Sequence, residues 1–327
     1  MYLFKSRLIT LLALSLFFIC FSLLSLFIID APQSVQAAPA WTSASTVSDG
    51  VPQSIGGYAS GCLQGGSLLP QQGSGYESIR RYRNRYYAHP ATIHLLEDLG
   101  REVERAGLLP MEIGDLSQPR GGRMKYGHRS HQSGLDADIW FGGDPAYREG
   151  EGRQRKRRVK RKAKSKRWSA KTLRRALFDV DHPSAVKGWR ETLDKKVWST
   201  RHEQLLKRAA NRPEVARIFV HFRIKEKMCE VYRSESKARD DTARDDTARE
   251  VAEEQTLWLR KLRPWYGHHQ HFHIRLHCPP GSPECDNQGP LPKGLGCEGL
   301  EWFSKREKKE RKRAAKKEED KEDHRKD

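Results

Sequence analysis

A chain of 327 residues, 36% of them hydrophobic, is long enough to bury a substantial core unaided, which excludes a small scaffold stapled together by cysteines. Its formal net charge of +19 should draw it toward polyanions.

The first forty residues set the compartment. Lys5 and Arg7 precede an apolar run from Leu8 to Ile29, and small residues follow around Ala37. This is the order of a secretory signal, here residues 1–37, with cleavage near Ala37. The run is also long enough to span a bilayer as an uncleaved anchor. Either way the remainder is expected outside the inner membrane, in the periplasm. There the polyanions are wall polymers, lipopolysaccharide or phospholipid head groups, and no nucleic-acid partner is expected.

Residues 38–75, rich in Ser, Gly, Gln and Pro, read as an irregular N-terminal arm, followed by one domain over 76–303. After Pro90, the spacing of Ile93, Leu95, Leu96, Leu99 and Val103 predicts a helix. The segment "EIGDLSQPRGGRM" reads as a strand and then a turn at Pro119 and Gly121-Gly122. Next comes "YGHRSHQSGLDADIWF", which sets His128, His131, Asp136 and Asp138 just before an apolar stretch.

Residues 153–167 carry eleven Lys or Arg and no acid, so they cannot bury a face and read as a solvated insertion. The insertion is either a charged loop without a specific partner or an electrostatic tether to an anionic wall or membrane surface. Beyond Thr172 helical patterns resume, and Ile218 to Phe222 form an apolar run that predicts a strand leading into a helix. The repeat "ARDDTARDDTARE" over 238–250 alternates Arg with Asp, as a solvated segment does. The tail, 304–327, has no apolar face and reads as disordered or as a lone charged helix.

Of the six cysteines, Cys20 lies in the signal. The other five suggest two disulfides and one thiol left over. A zinc site from Cys278, Cys285, Cys297 and His277 is the weaker alternative, because the short C-x2-C knuckle is missing.

The second polar cluster is "WYGHHQHFHIRLHC". His271, His273 and Arg275 alternate with Phe272, Ile274 and Leu276, the period of a strand with one buried face. Likewise Asp136, Asp138 and Trp140 share one face, and Ala137, Ile139 and Phe141 the other. Two strands would thus present polar side chains opposite the core, on a support rigid enough to fix a catalytic metal. Zinc takes His nitrogen and Asp oxygen and leaves its fourth position to water. The competing account is a polar cluster in which each histidine is satisfied by a carboxylate.

These segments, with "IRRYRNRYYAHP", "GDLSQPRGGRM" and "RIFVHFRIKEKMC", resemble the penicillin-insensitive murein endopeptidases, zinc peptidases grouped with lysostaphin-type enzymes, D-Ala-D-Ala metallopeptidases and the hedgehog fold. The resemblance runs from about residue 55 to 300. It implies an α+β fold, with a small antiparallel sheet carrying the metal, flanked by helices and long loops. It further implies Zn2+ held by His131, Asp138 and His273, His271 as general base, and His128 and His268 as substrate or transition-state contacts. Asp136 would orient a ligand histidine. The implied substrate is the D-alanyl to meso-diaminopimelyl cross-link of peptidoglycan, and the implied disulfides are Cys278–Cys285 and Cys229–Cys297. The family usually ties its arm to a cysteine near the C-terminus. This tail has none, which leaves Cys62 without that partner. A D,D-carboxypeptidase trimming stem peptides and a non-catalytic wall-binding protein are the other readings.

Overall fold

The computed structural model describes residues 38–108, 110–142, 184–187, 192–240, 256–306, 308, 309 and 312. The expected signal segment, the basic insertion and most of the charged repeat and tail lie outside them. The described residues from Ala40 onward belong to one compact unit.

In chain order the strands are β1 (Gln53–Gly57), β2 (Ser60–Gln64), β3 (Ser67–Leu68), β4 (Gln72–Gly73), β5 (Tyr76–Ser78), β6 (Tyr87–Ala88), β7 (Met111–Ile113), β8 (Asp136–Trp140), β9 (Val186–Lys187), β10 (Thr192–Leu193), β11 (Val215–Val220), β12 (Leu262–Pro264) and β13 (His271–Leu276). The main helices are α1 (Pro90–Arg105), α2 (Thr200–Asn211), α3 (Phe222–Asp240) and α4 (Leu257–Lys261). The fold is α+β. Its main sheet has seven strands in the order β12-β11-β13-β8-β7-β5-β4. It is larger than expected and mixed, since β5 pairs with β7 and β11 with β12 in parallel. The centre, β11-β13-β8-β7, is antiparallel throughout.

The helix predicted after Pro90 is α1. His89 caps it, its Nδ1 accepting from the Ala91 amide at 3.1 Å, and Ile93, Leu95, Leu96, Leu99 and Val103 face the core. The period-2 reading of β8 and β13 also holds in register: Asp138 faces His273, and Asp136 faces Arg275. The opposite face carries Ala137, Ile139, Phe272, Ile274, Ile218 and Val220 into one apolar cluster with residues of α1, α2 and α4. Burying several aliphatic side chains, each about 1.5–3 kcal/mol, makes this face the main source of stability.

Two expectations change. The N-terminal arm is not irregular: β1 and β2 form an antiparallel hairpin. Its glycine content hid the strand pattern for a steric reason. A Cβ on Gly61 would lie 2.3 Å from the Ile55 carbonyl oxygen, so close pairing excludes a side chain there. Second, the polar face of β8 is not open, because Asp136 and Asp138 are as buried as Ala137 between them. The loop from Gly114 to Leu135 covers it. That loop is laced to its surroundings by Leu116 N to Arg85 O (2.7 Å), Ser117 N to Tyr87 O (2.8 Å) and Gln132 N to Tyr58 O (3.1 Å), and to itself by Gly122 N to Gln132 O (2.9 Å).

Both disulfides implied by the resemblance form, Cys229–Cys297 and Cys278–Cys285. Cys62 has a free thiol.

Candidate metal centre

The centre is organised around one carboxylate. Asp138 Oδ1 lies 3.2 Å from His273 Nδ1, 3.4 Å from His131 Nε2 and 3.7 Å from His271 Nε2, and its Oδ2 lies 3.2 Å from His128 Nε2. Asp138, His271 and His273 stand on paired central strands. His128 and His131 come instead from the covering loop, so one half of the cluster is sheet and the other is loop.

His131 is held there in the left-handed backbone region, at φ 67°, which is uncommon for a residue with a side chain. Its amide donates to Asp136 Oδ2 at 2.8 Å, which compensates the strain. The Asp136 carboxylate also accepts from Arg275, Nε to Oδ1 at 2.8 Å, and lies 2.9 Å from His273 Nε2. That last contact is a close ion pair rather than an aligned hydrogen bond, since His273 Nε2 makes none. Asp136 therefore contacts one histidine from the loop and one from the sheet.

One donor atom each from His128, His131 and Asp138 lie within 4.8 Å of one another. Both ring nitrogens of His131 and Oδ1 of Asp138 are buried without a hydrogen bond, although His131 Nε2 and Oδ1 are near neighbours. Leaving buried polar atoms unpaired costs about 1–3 kcal/mol each, which coordination to a cation would remove. An imidazole-rich set with one carboxylate suits zinc or a similar divalent ion. The residues thus fit a metal ion. Of the expected ligands, His131 and Asp138 belong to this group, whose third member is His128; His273 Nδ1 lies as near the Asp138 carboxylate as His128 Nε2 does, each at 3.2 Å.

The charges reinforce this picture. Burial alone would raise the Asp138 carboxyl, but His128, His131 and His271 hold it well below the usual carboxylate range. Asp136 is held low in the same way against its burial, by His273 and Arg275. Burial, only partly opposed by Asp138, pushes the His271 imidazole down to about 4, and burial followed by His271 and His273 keeps His268 low as well. His273 goes the other way, raised by Asp136 in spite of burial. His268 stands at the edge of the cluster, its ring 5.1 Å from His271 and its Nδ1 3.0 Å from the Tyr266 carbonyl oxygen.

Sequence reasoning overlooked Asp115, which follows β7 and is buried. Its Oδ2 lies 3.3 Å from His128 Nε2 and accepts from Arg83 at 3.0 Å and Arg85 at 2.8 Å. Arg85 in turn donates to the Tyr126 carbonyl at 2.7 Å. The only signal in the sequence was an acid at the end of a predicted strand shortly before the histidines.

An α+β fold whose central strands and covering loop close on a buried cluster of histidine and aspartate defines a class of scaffold able to hold a metal ion. Comparison with known proteins narrows the class. The family model for penicillin-insensitive murein endopeptidase matches residues 54–240 and 243–326. A penicillin-insensitive murein endopeptidase of Haemophilus influenzae is 39% identical over 257 residues, 78% of this chain and 74% of the relative. Proteins of the same description from Klebsiella pneumoniae and Yersinia enterocolitica are each 34% identical, over 82% of both chains. The chain belongs to the penicillin-insensitive murein endopeptidase family.

Proposed function

We propose that this chain is a periplasmic zinc peptidase that hydrolyses the D-alanyl to meso-diaminopimelyl cross-links of peptidoglycan. The observation that carries the proposal is the ring of imidazoles around the buried Asp138 carboxylate, in a member of a peptidase family. His131, Asp138 and His273 would hold the ion. When bound, the ion supplies a water acidified to about neutral pH and polarises the scissile carbonyl. His271 on β13, its Nε2 3.7 Å from Asp138 Oδ1, would take the proton of the attacking water as general base. His128 and His268 flank the cluster and can donate to the oxygen that becomes negative in the transition state. Asp136 and Arg275 keep His273 in orientation.

The test pairs metal analysis with digestion of purified sacculi. His131→Ala, Asp138→Ala and His273→Ala should each lose the metal and release of monomers from muropeptide dimers. His271→Ala should keep most of the metal and lose cleavage. Full cleavage by the His271 variant would remove its role as base, and liberation of free D-alanine without monomers would reassign the protein as a carboxypeptidase. The basic run at 153–167 supports an electrostatic tether to the wall or membrane surface. Its deletion should weaken salt-sensitive binding to sacculi while soluble dimers are still cleaved, and unchanged binding would retire the tether.

A further inference from the structure

The site face of the sheet does not end at the cluster. Phe219 on β11 stands opposite His273, so Asp138, His273 and Phe219 form one row across three strands. Phe219 packs edge-on against His273 (5.4 Å between ring centroids), lies 6.2 Å from His268, and packs edge-on against Trp265 (5.9 Å). Trp265 follows β12, and its amide donates to the Val220 carbonyl at 2.8 Å. Despite this support the Trp265 side chain is 54% exposed, and its neighbour Tyr266 is 45% exposed.

Scattered exposed apolar residues are ordinary and need no function. This pair differs in being fixed to the candidate centre at three points. Phe219 touches both Trp265 and a site histidine, the Trp265 backbone is bonded to β11, and the Tyr266 carbonyl lies against His268. The Trp265 ring packs on Phe219, the Tyr266 backbone is anchored at His268, and both side chains remain about half exposed at the rim.

We infer that Trp265 and Tyr266 form a stacking platform for the sugar rings of the glycan strand that carries the cross-linked peptide. The inference rests on the proposed murein hydrolysis. A cross-link seated at Asp138 stays tethered to its glycan through the stem peptides, which keeps sugar rings within a few residues' length of the centre. Indole and phenol faces carry the negative side of their quadrupole outward, where the weakly positive C–H groups of a pyranose face can rest. Stem peptides with their charged groups have less to gain from such faces.

The test uses the metal-loaded protein and two substrates, a cross-linked peptide dimer without sugars and the same dimer carrying its disaccharides. The ratio of kcat/KM for the second over the first should fall about 10-fold in Trp265→Ala/Tyr266→Ala, the size of one or two aromatic stacks, and the loss should appear in KM. Calorimetry of the metal-free protein with peptide-free glycan chains should show binding that the double variant lacks. An unchanged ratio, or equal glycan binding by both proteins, would overturn the platform. Should the unaltered protein cleave neither dimer, the hydrolase reading fails, while the glycan titration still decides the platform. Adsorption to anionic lipid vesicles in place of glycan would overturn it too.

Discussion

Asp115 shows how much one residue off the ligand set can govern. It binds two arginines and His128 through a single carboxylate oxygen, and burial does not neutralise it because His128, Arg83 and Arg85 hold its carboxyl low. His128 Nε2 is thereby placed between two carboxylates, 3.3 Å from Asp115 and 3.2 Å from Asp138. Asp115→Asn keeps the shape and removes the charge. We expect kcat on muropeptide dimers to drop about 10–100-fold with metal content retained, as for other residues that orient a centre through a second contact. An unchanged kcat would reduce Asp115 to scaffolding. Loss of the metal would instead place His128 among its ligands.

At the scale of elements, the loop from Gly114 to Leu135 and the segment after β13 do what the strands alone do not. The loop closes tightly over β8 because Gly121, at φ 67°, leaves room that a Cβ would fill, only 2.0 Å from the Gln132 carbonyl oxygen. The segment after β13 is stapled by Cys278–Cys285 and docks on the hairpin, Gly56 N to Glu284 O at 2.8 Å and Ser54 N to Ser282 Oγ at 3.0 Å. Cys229–Cys297 ties α3 to the chain 68 residues on. Closing the longer loop removes more freedom from the unfolded chain. Denaturant titrations should therefore show a loss of about 4 kcal/mol for Cys229→Ser/Cys297→Ser and about 2–3 kcal/mol for Cys278→Ser/Cys285→Ser. The reverse order would mean that strain or docking, rather than chain entropy, decides these bridges.

For the molecule as a whole, a buried cation makes stability depend on pH. Lys225 of α3 is 0% exposed, and its ammonium donates to the carbonyls of Leu259 (2.7 Å) and Leu295 (2.6 Å), joining α4 to the disulfide-anchored C-terminal segment. Burial, helped by Arg263, pushes it down to about 7 from 10.5. Below pH 7 folded and unfolded chains both carry this proton, and the cost of burying the charge is present in full. Between about pH 7 and 10.5 the unfolded chain binds more protons than the folded one, so stability rises with pH. Lys225→Met removes the group. The stability of the unaltered protein relative to this variant should climb from pH 7 to 9.5, by at most ~1.4 kcal/mol per pH unit. A flat difference would show that the two carbonyls keep the ammonium charged throughout.

The sequence by itself determined the elements whose period survives without context: helix α1, the strands β8 and β13, the apolar run of β11, and the polar faces bearing Asp138, His271 and His273. Each follows from local geometry, because a side chain's direction repeats every 2 or 3.6 residues regardless of its neighbours. Only the tertiary structure decided that β8 and β13 pair with Asp138 opposite His273, that a loop rather than a strand delivers His128 and His131, and that Asp115 and two arginines stand behind them. The strand pairing and the arginine contacts join separate segments of the chain, and their energies come from excluding water from groups that the sequence pattern alone does not bring face to face. The hairpin of the N-terminal arm was hidden for a related reason: its glycines are required by a close approach of backbone, which exists only once the strands have met.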